Sequence, residues 1–150
     1  MILYLDTSIL VKLYIEEEDS GQVASQVTSM AVVATSIIAY VEARSAFARR
    51  YREKAFDSEA YIKLLSNFNM DWDLYLQIAI NGSSVRKAGD LAEKHSLKGY
   101  DALHLSAAIT MRKETETPVI FLTADEALRR AAEKERFLTA LQEAHVERKT

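Results

Sequence analysis

A chain of 150 residues with 19 basic and 22 acidic side chains carries a net charge of −3, so no overall basic field points to nucleic acid and any such role must rest on a local site. The absence of cysteine excludes disulfide scaffolds, thiol catalysis and Cys-ligated zinc. With 49% hydrophobic and 27% charged residues the chain reads as an ordinary globule, and this length, which buries roughly 68–70% of the unfolded surface, points to one domain over 1–150.

The opening Met1-Ile2-Leu3-Tyr4-Leu5 has no basic lead and meets Asp6 too early to form a signal-peptide core. A short apolar run stopped by Asp6-Thr7-Ser8 instead suits a strand buried on both faces, as in parallel sheets. Ile9, Leu10, Leu13 and Tyr14 then recur at helical spacing up to Glu16-Glu17-Glu18-Asp19, and a short helix follows over Ser20–Val27. The charge-free stretch from Ser20 to Val41 is interrupted by seven polar residues, among them Gln22, Gln26 and Thr35, so no membrane span is expected. A soluble, cytoplasmic protein is the expectation. Ala31-Val32-Val33-Ala34 predicts a second strand, with Thr35-Ser36 capping the helix after it.

Ile37 to about Arg52 is strongly helical, and Asp57–Phe68 is its expected antiparallel partner. Leu74, Leu76, Ile78 and Ile80 alternate with Tyr75, Gln77 and Ala79, which predicts a third strand. Asn81-Gly82-Ser83 is a turn and cap before a helix carrying Val85, Ala88, Leu91, Ala92 and His95. Gly99 precedes a helix over Tyr100–Lys113 with few polar faces, expected to be largely buried. Pro118 opens the fourth strand, Val119-Ile120-Phe121-Leu122, which ends at Thr123-Ala124-Asp125. Helices are expected over Glu126–Glu135 and Phe137–Ala144, with a marginal strand at Val146. Alternating strands and helices imply a three-layer α/β/α fold around a mainly parallel sheet of four or five strands.

Open parallel sheets bind ligands beyond the carboxyl ends of their strands. Asp6 and Asp125 each follow a strand directly, Asp101 lies in the first turn of the most buried helix, and Glu42 is assigned to the second turn of the helix after strand two, sharing a face with Ile38, Ser45 and Ala46. Taken singly, each aspartate reads as a helix N-cap and Glu42 as a solvated helix residue. Taken together, four carboxylates at one edge repel unless a cation neutralises them. Oxygen-only ligands suit Mg²⁺ or Mn²⁺, and two such ions can activate water and stabilise a leaving oxygen in phosphodiester cleavage. Ser8 and Thr123 flank the site, where their hydroxyls either orient a carboxylate or water or make ordinary turn bonds.

Four segments carry a family likeness: Tyr4-Leu5-Asp6-Thr7-Ser8 with Leu10-Val11-Lys12-Leu13-Tyr14; Ser36 to Glu42; Gly99-Tyr100-Asp101-Ala102-Leu103-His104-Leu105-Ser106-Ala107-Ala108; and Phe121-Leu122-Thr123-Ala124-Asp125-Glu126-Ala127-Leu128. In this order, over about residues 1–135, the chain resembles the PIN-domain ribonucleases, and among them the VapC-type toxins of toxin–antitoxin pairs. The resemblance implies a PIN-like fold and a Mg²⁺- or Mn²⁺-dependent endoribonuclease acting on RNA. It also implies a homodimer inhibited by a VapB-type antitoxin over the active-site groove. It carries Asp6, Glu42, Asp101 and Asp125 over as the catalytic, metal-binding quartet, with Ser8 and Thr123 as supporting hydroxyls. Residues Ala55–Ile80 match little of the family pattern.

Other residues have plainer readings. Arg44, Arg49, Arg50, Arg52 and Lys54 against Glu53 form a basic stretch, read either as an RNA-phosphate contact or as a solvated helix end. Lys12 either helps hold phosphate or snorkels at a helix edge. His104 sits in an apolar helix, which favours a packed histidine over a general base, while His95 and His145 carry no pattern. Tyr40, Phe47, Tyr51 and Phe68 suit helix packing or a dimer surface better than base stacking. Two other functions remain open at this point. One is a phosphatase of the haloacid-dehalogenase type with Asp6 as nucleophile, although that family's second aspartate is replaced here by Ser8. The other is a PIN-like module that binds RNA or protein without chemistry, against which all four acids speak.

Overall fold

In the computed structural model, which describes residues 1–17, 19–30 and 32–140, four strands alternate with seven helices. The order is β1 (Ile2–Leu5), α1 (Thr7–Lys12), α2 (Ser20–Thr28), β2 (Val32–Ser36), α3 (Ala39–Arg52), α4 (Ser58–Trp72), β3 (Leu76–Ile78), α5 (Gly82–His95), α6 (Gly99–Thr115), β4 (Val119–Leu122) and α7 (Glu126–Lys134). The strands pair in parallel in the order β3-β2-β1-β4, so the two fully buried runs, β1 and β4, are neighbours.

Strand periodicity divides the core into two halves. Ile2, Tyr4, Ala34, Val119 and Phe121 face one way and pack with Ala88 and Leu91 of α5, Leu105 and Met111 of α6, and Leu128 of α7. Leu3, Leu5, Ile120 and Leu122 face the other way and pack with Leu10 of α1, Phe47 of α3 and Phe68 of α4. The result is the expected three-layer α/β/α arrangement. Each helix presents only one apolar stripe, except α6, which is buried along most of its length as its composition predicts.

Three sequence expectations are corrected. Thr35 and Ser36 do not cap a helix: they extend β2, because β3 supplies Gln77 and Ile78 as ladder partners, and Thr35 Oγ1 donates to the Leu5 carbonyl at 2.8 Å. The third strand is confined to Leu76–Ile78, an edge position with one neighbour, and Leu74 belongs to the preceding turn and is exposed. Residues 137–140 are not helical. Leu138 makes an isolated parallel bridge to Ile120, and Phe137 packs on the Phe121 ring at 5.7 Å, so the apolar residues are used by the core rather than by a helix. The remainder of the proposed Phe137–Ala144 helix, with His145 and the strand at Val146, lies outside the described residues.

Candidate active site

The carboxyl ends of β1 and β4 deliver Asp6 and Asp125 to the same edge of the sheet. Both aspartates are N-caps, as the plain reading allowed: Asp6 Oδ1 accepts from the Ile9 N–H at 3.1 Å at the start of α1, and Asp125 Oδ1 from the Leu128 N–H at 2.8 Å at the start of α7. Capping and chemistry are compatible, because a cap sets a carboxylate at a helix N-terminus without consuming all its lone pairs. Asp101 is different. It is the third residue of α6, whose N-cap is Lys98, and no side-chain cap bond exists there. Glu42 stands in the first turn of α3, not the second, because that helix begins at Ala39.

Asp6 is buried, with 3% of its surface exposed, and three groups hold it. Ser8 Oγ donates to Oδ1 at 2.6 Å, the Ile9 N–H shares that oxygen, and Thr123 Oγ1 donates to Oδ2 at 2.5 Å. Ser8 Oγ also accepts from the Ala124 N–H and Thr123 Oγ1 from the Asp125 N–H, each at 3.0 Å, so the two hydroxyls stitch the β1–α1 turn to the β4–α7 turn. Burial nonetheless raises the Asp6 carboxyl above its ordinary range, against the opposing pull of His104 and of these hydrogen bonds. The half-buried Asp101 is raised as well, first by burial and then by the charges of Asp125 and Asp6, with His104 and Lys98 acting against it. Asp101 therefore stands close enough to feel the charges of both Asp6 and Asp125.

Glu42 joins the edge from the α3 side. Its Oε1 accepts from Thr7 Oγ1 at 2.7 Å and lies 3.0 Å from His104 Nε2, and it borders a cavity of about 340 Å³ shared with Val41, Ser45 and Tyr100. His104, 2% exposed, also meets Thr7 Oγ1 at 3.1 Å through Nε2 and Tyr4 OH at 2.8 Å through Nδ1. His104 is buried, as its packed reading had it, but its hydrogen bonds to Tyr4, Thr7 and Glu42 were not read from the sequence.

The donor set is all oxygen and suits a hard cation. Among the described residues no three His, Cys, Asp or Glu side chains stand close enough to hold one ion directly. An ion held here would take one or two of these carboxylates and complete its shell with water and phosphate oxygens, as Mg²⁺ does.

Other residues are accounted for by structure. Lys12 is paired with Glu17 at 3.1 Å and Asp19 at 2.6 Å. His95 pairs with Glu135 at 2.8 Å. Phe47 and Phe68 meet edge to face at 5.2 Å, Tyr40 stacks on Phe68, and Tyr51 stacks on Tyr61, which bears out helix packing. In the basic stretch Arg44 donates to Tyr40 OH at 2.7 Å, while Arg49, Arg52 and Lys54 are exposed at the end of α3.

The PIN-domain family matches residues 3–134, and the chain belongs to that family. Two relatives from Mycobacterium tuberculosis strains, Ribonuclease VapC45 and Ribonuclease VapC49, are each 26% identical to it over 110 residues, covering 73% of this chain and 76% of theirs. Among solved structures the fold is shared with FitAcB from Neisseria gonorrhoeae, at TM-score 0.60 and 17% identity over 89% of this chain and 94% of that one. It is also shared with a toxin–antitoxin complex from Klebsiella pneumoniae, at TM-score 0.59 and 18% identity over 82% and 86%. A third match is VapBC2 from Rickettsia felis bound to a promoter DNA fragment, at TM-score 0.57 and 17% identity over 83% and 88%.

Proposed function

We propose that this protein is a divalent-metal-dependent endoribonuclease and the toxin of a VapBC-type toxin–antitoxin pair. One observation carries the reading: within a PIN domain, the neighbouring strands β1 and β4 end in Asp6 and Asp125 at one sheet edge, where the half-buried Asp101 also meets both charges, a crowding that a doubly charged cation would relieve. Asp6, Glu42, Asp101 and Asp125 are the residues that would hold Mg²⁺ or Mn²⁺. A bound ion of this kind supplies Lewis-acid stabilisation of the phosphate and an activated attacking water.

The chain's own residues do the positioning. Ser8 and Thr123 fix the Asp6 carboxylate from both sides, and the half-buried Asp101 and exposed Asp125 face the solvent side, where a phosphodiester arrives. Arg49, Arg52 and Lys54 offer the local positive charge that the net charge of −3 lacks. The names of the relatives support RNA as substrate and a VapB-type antitoxin as partner. A homodimer, a cytoplasmic location and a single PIN unit over 1–150 complete the proposal. Among the described residues no helix is long and apolar enough to cross a membrane.

Purified protein should cleave RNA with Mg²⁺ or Mn²⁺ and stop when EDTA is added. Asp6→Asn and Asp101→Asn should each lower the rate by at least on the order of 100-fold while leaving circular dichroism unchanged. Full metal-dependent activity in both variants overturns the reading. An acyl-phosphate trapped on Asp6 would instead favour the phosphatase chemistry that the family match argues against.

A further inference from the structure

Beneath the acidic edge lies a hydrogen-bonded chain that leads to Glu42 and whose other members the proposed chemistry does not use. It runs from Tyr4 on β1, through His104 on α6, to Thr7 on α1 and Glu42 on α3. Tyr4 and His104 are both essentially buried in the core, where a polar group is retained only with its partners in place.

With the His104 ring neutral, counting hydrogens fixes the direction of each bond. Thr7 has one hydroxyl hydrogen, and it goes to Glu42 Oε1. The contact between Thr7 Oγ1 and His104 Nε2 must then run from the ring N–H to the hydroxyl oxygen, and the neighbouring carboxylate accepts from the same N–H. Nε2 therefore bears a hydrogen. Nδ1 presents its lone pair to Tyr4, whose buried phenol keeps its proton and donates it at 2.8 Å. Both bonds to Glu42 land on Oε1 and neither on Oε2.

We propose that Tyr4, His104 and Thr7 are positioning residues for Glu42: Tyr4 locks His104 as the Nε2–H tautomer, and His104 and Thr7 together grip Glu42 Oε1, turning Oε2 toward the incoming cation. The inference rests on the metal-dependent reading of this edge and adds three residues to it. The geometry explains why a histidine stands between Leu103 and Leu105 at a buried position of α6 where packing alone would be met by leucine or methionine.

The direct test is nitrogen-15 NMR of the histidine-labelled wild-type protein, which separates the two tautomers. His104 should show a protonated Nε2 and an unprotonated Nδ1, and Tyr4→Phe, which keeps the ring stacked on Phe121, should release that preference. A wild-type Nδ1–H tautomer, or a preference unchanged in Tyr4→Phe, overturns the proposal. Mn²⁺ affinity by electron paramagnetic resonance provides the second readout. His104→Gln carries an N–H near the place of Nε2 and should stay close to wild type. His104→Met fills similar volume without a donor and should bind Mn²⁺ roughly 10–100-fold more weakly, with KM for RNA unchanged. Thr7→Ser should retain affinity that Thr7→Val loses. Equal Mn²⁺ affinity for the Gln and Met variants overturns the proposal. A protein that shows this affinity pattern yet leaves RNA uncut supports the positioning of Glu42 and refutes the ribonuclease reading, so the two failures are distinguishable.

Discussion

Asp6 illustrates how a single residue trades stability for chemistry. Its carboxyl is buried, accepts from Ser8, Ile9 and Thr123, and is still raised above the ordinary carboxylate range. Asp101 is raised too. A carboxyl raised in the folded state binds its proton more tightly there than in the unfolded chain. These two groups therefore add stability below the unfolded value of 3.8, and that contribution is lost as pH rises through the higher native values. Asp6→Asn removes the buried charge while keeping an acceptor for Ser8 and the Ile9 N–H. In the absence of divalent ions at pH 7 it should be more stable than wild type and melt at a higher temperature. The gap should close as the pH approaches 4. A variant less stable than wild type at pH 7 would show that the Asp6 hydrogen bonds outweigh its desolvation. At this scale the positions of Asp6 and Asp125 after their strands and of Asp101 in the first turn of α6 were legible in the sequence, because strand ends and helix starts fix where such side chains emerge. The hydrogen bonds of Tyr4 and Thr7 to His104 were not, because these partners lie about a hundred residues apart and leave no periodic trace.

Local rules decide most of the helix ends. Asn81 opens α5 with a capping box: its side chain accepts from the Ser84 N–H at 2.9 Å, and Ser84 Oγ accepts from the Asn81 N–H at 2.8 Å. α5 packs along α6, which carries Asp101 and His104, and Ser106 Oγ of α6 donates to the Ser84 carbonyl at 2.8 Å. Asn81→Ala should cost about 1 kcal/mol without moving the active-site residues, so the melting temperature should fall and metal affinity should not. Glu116 ends α6 in the left-handed region at φ 51°, a conformation that a side chain disfavours. Glu116→Gly should raise the melting temperature slightly, and a fall would mean that unfolded-state entropy dominates at this cap. Elements were legible where periodicity and caps agreed, as in β1, β4, α5 and α7. They were misread where tertiary pairing overrode local preference: Thr35-Ser36 became strand because β3 lies alongside, and Leu138 was drawn to Ile120 instead of into a helix.

Across the whole molecule, the same alternation that separates Leu3 and Leu5 from Tyr4 builds two core halves and leaves one polar edge between them. β1 holds the centre of that design, since it pairs with both β2 and β4, contributes Tyr4 to one core half and ends in Asp6. The family match covers residues 3–134 and so includes all four acids, each supplied by a different element or turn of the fold. Convergence of this kind has a thermodynamic consequence. Charges that repel in the free protein should attract a divalent cation and gain stability when it binds. The most direct measurement is anomalous diffraction from a crystal soaked in Mn²⁺. The account predicts a Mn²⁺ peak bordered by Asp6, Asp101 and Asp125, with Glu42 Oε2 turned toward it. Carboxylates that keep their present spacing in saturating Mn²⁺, with no peak among them, would contradict it.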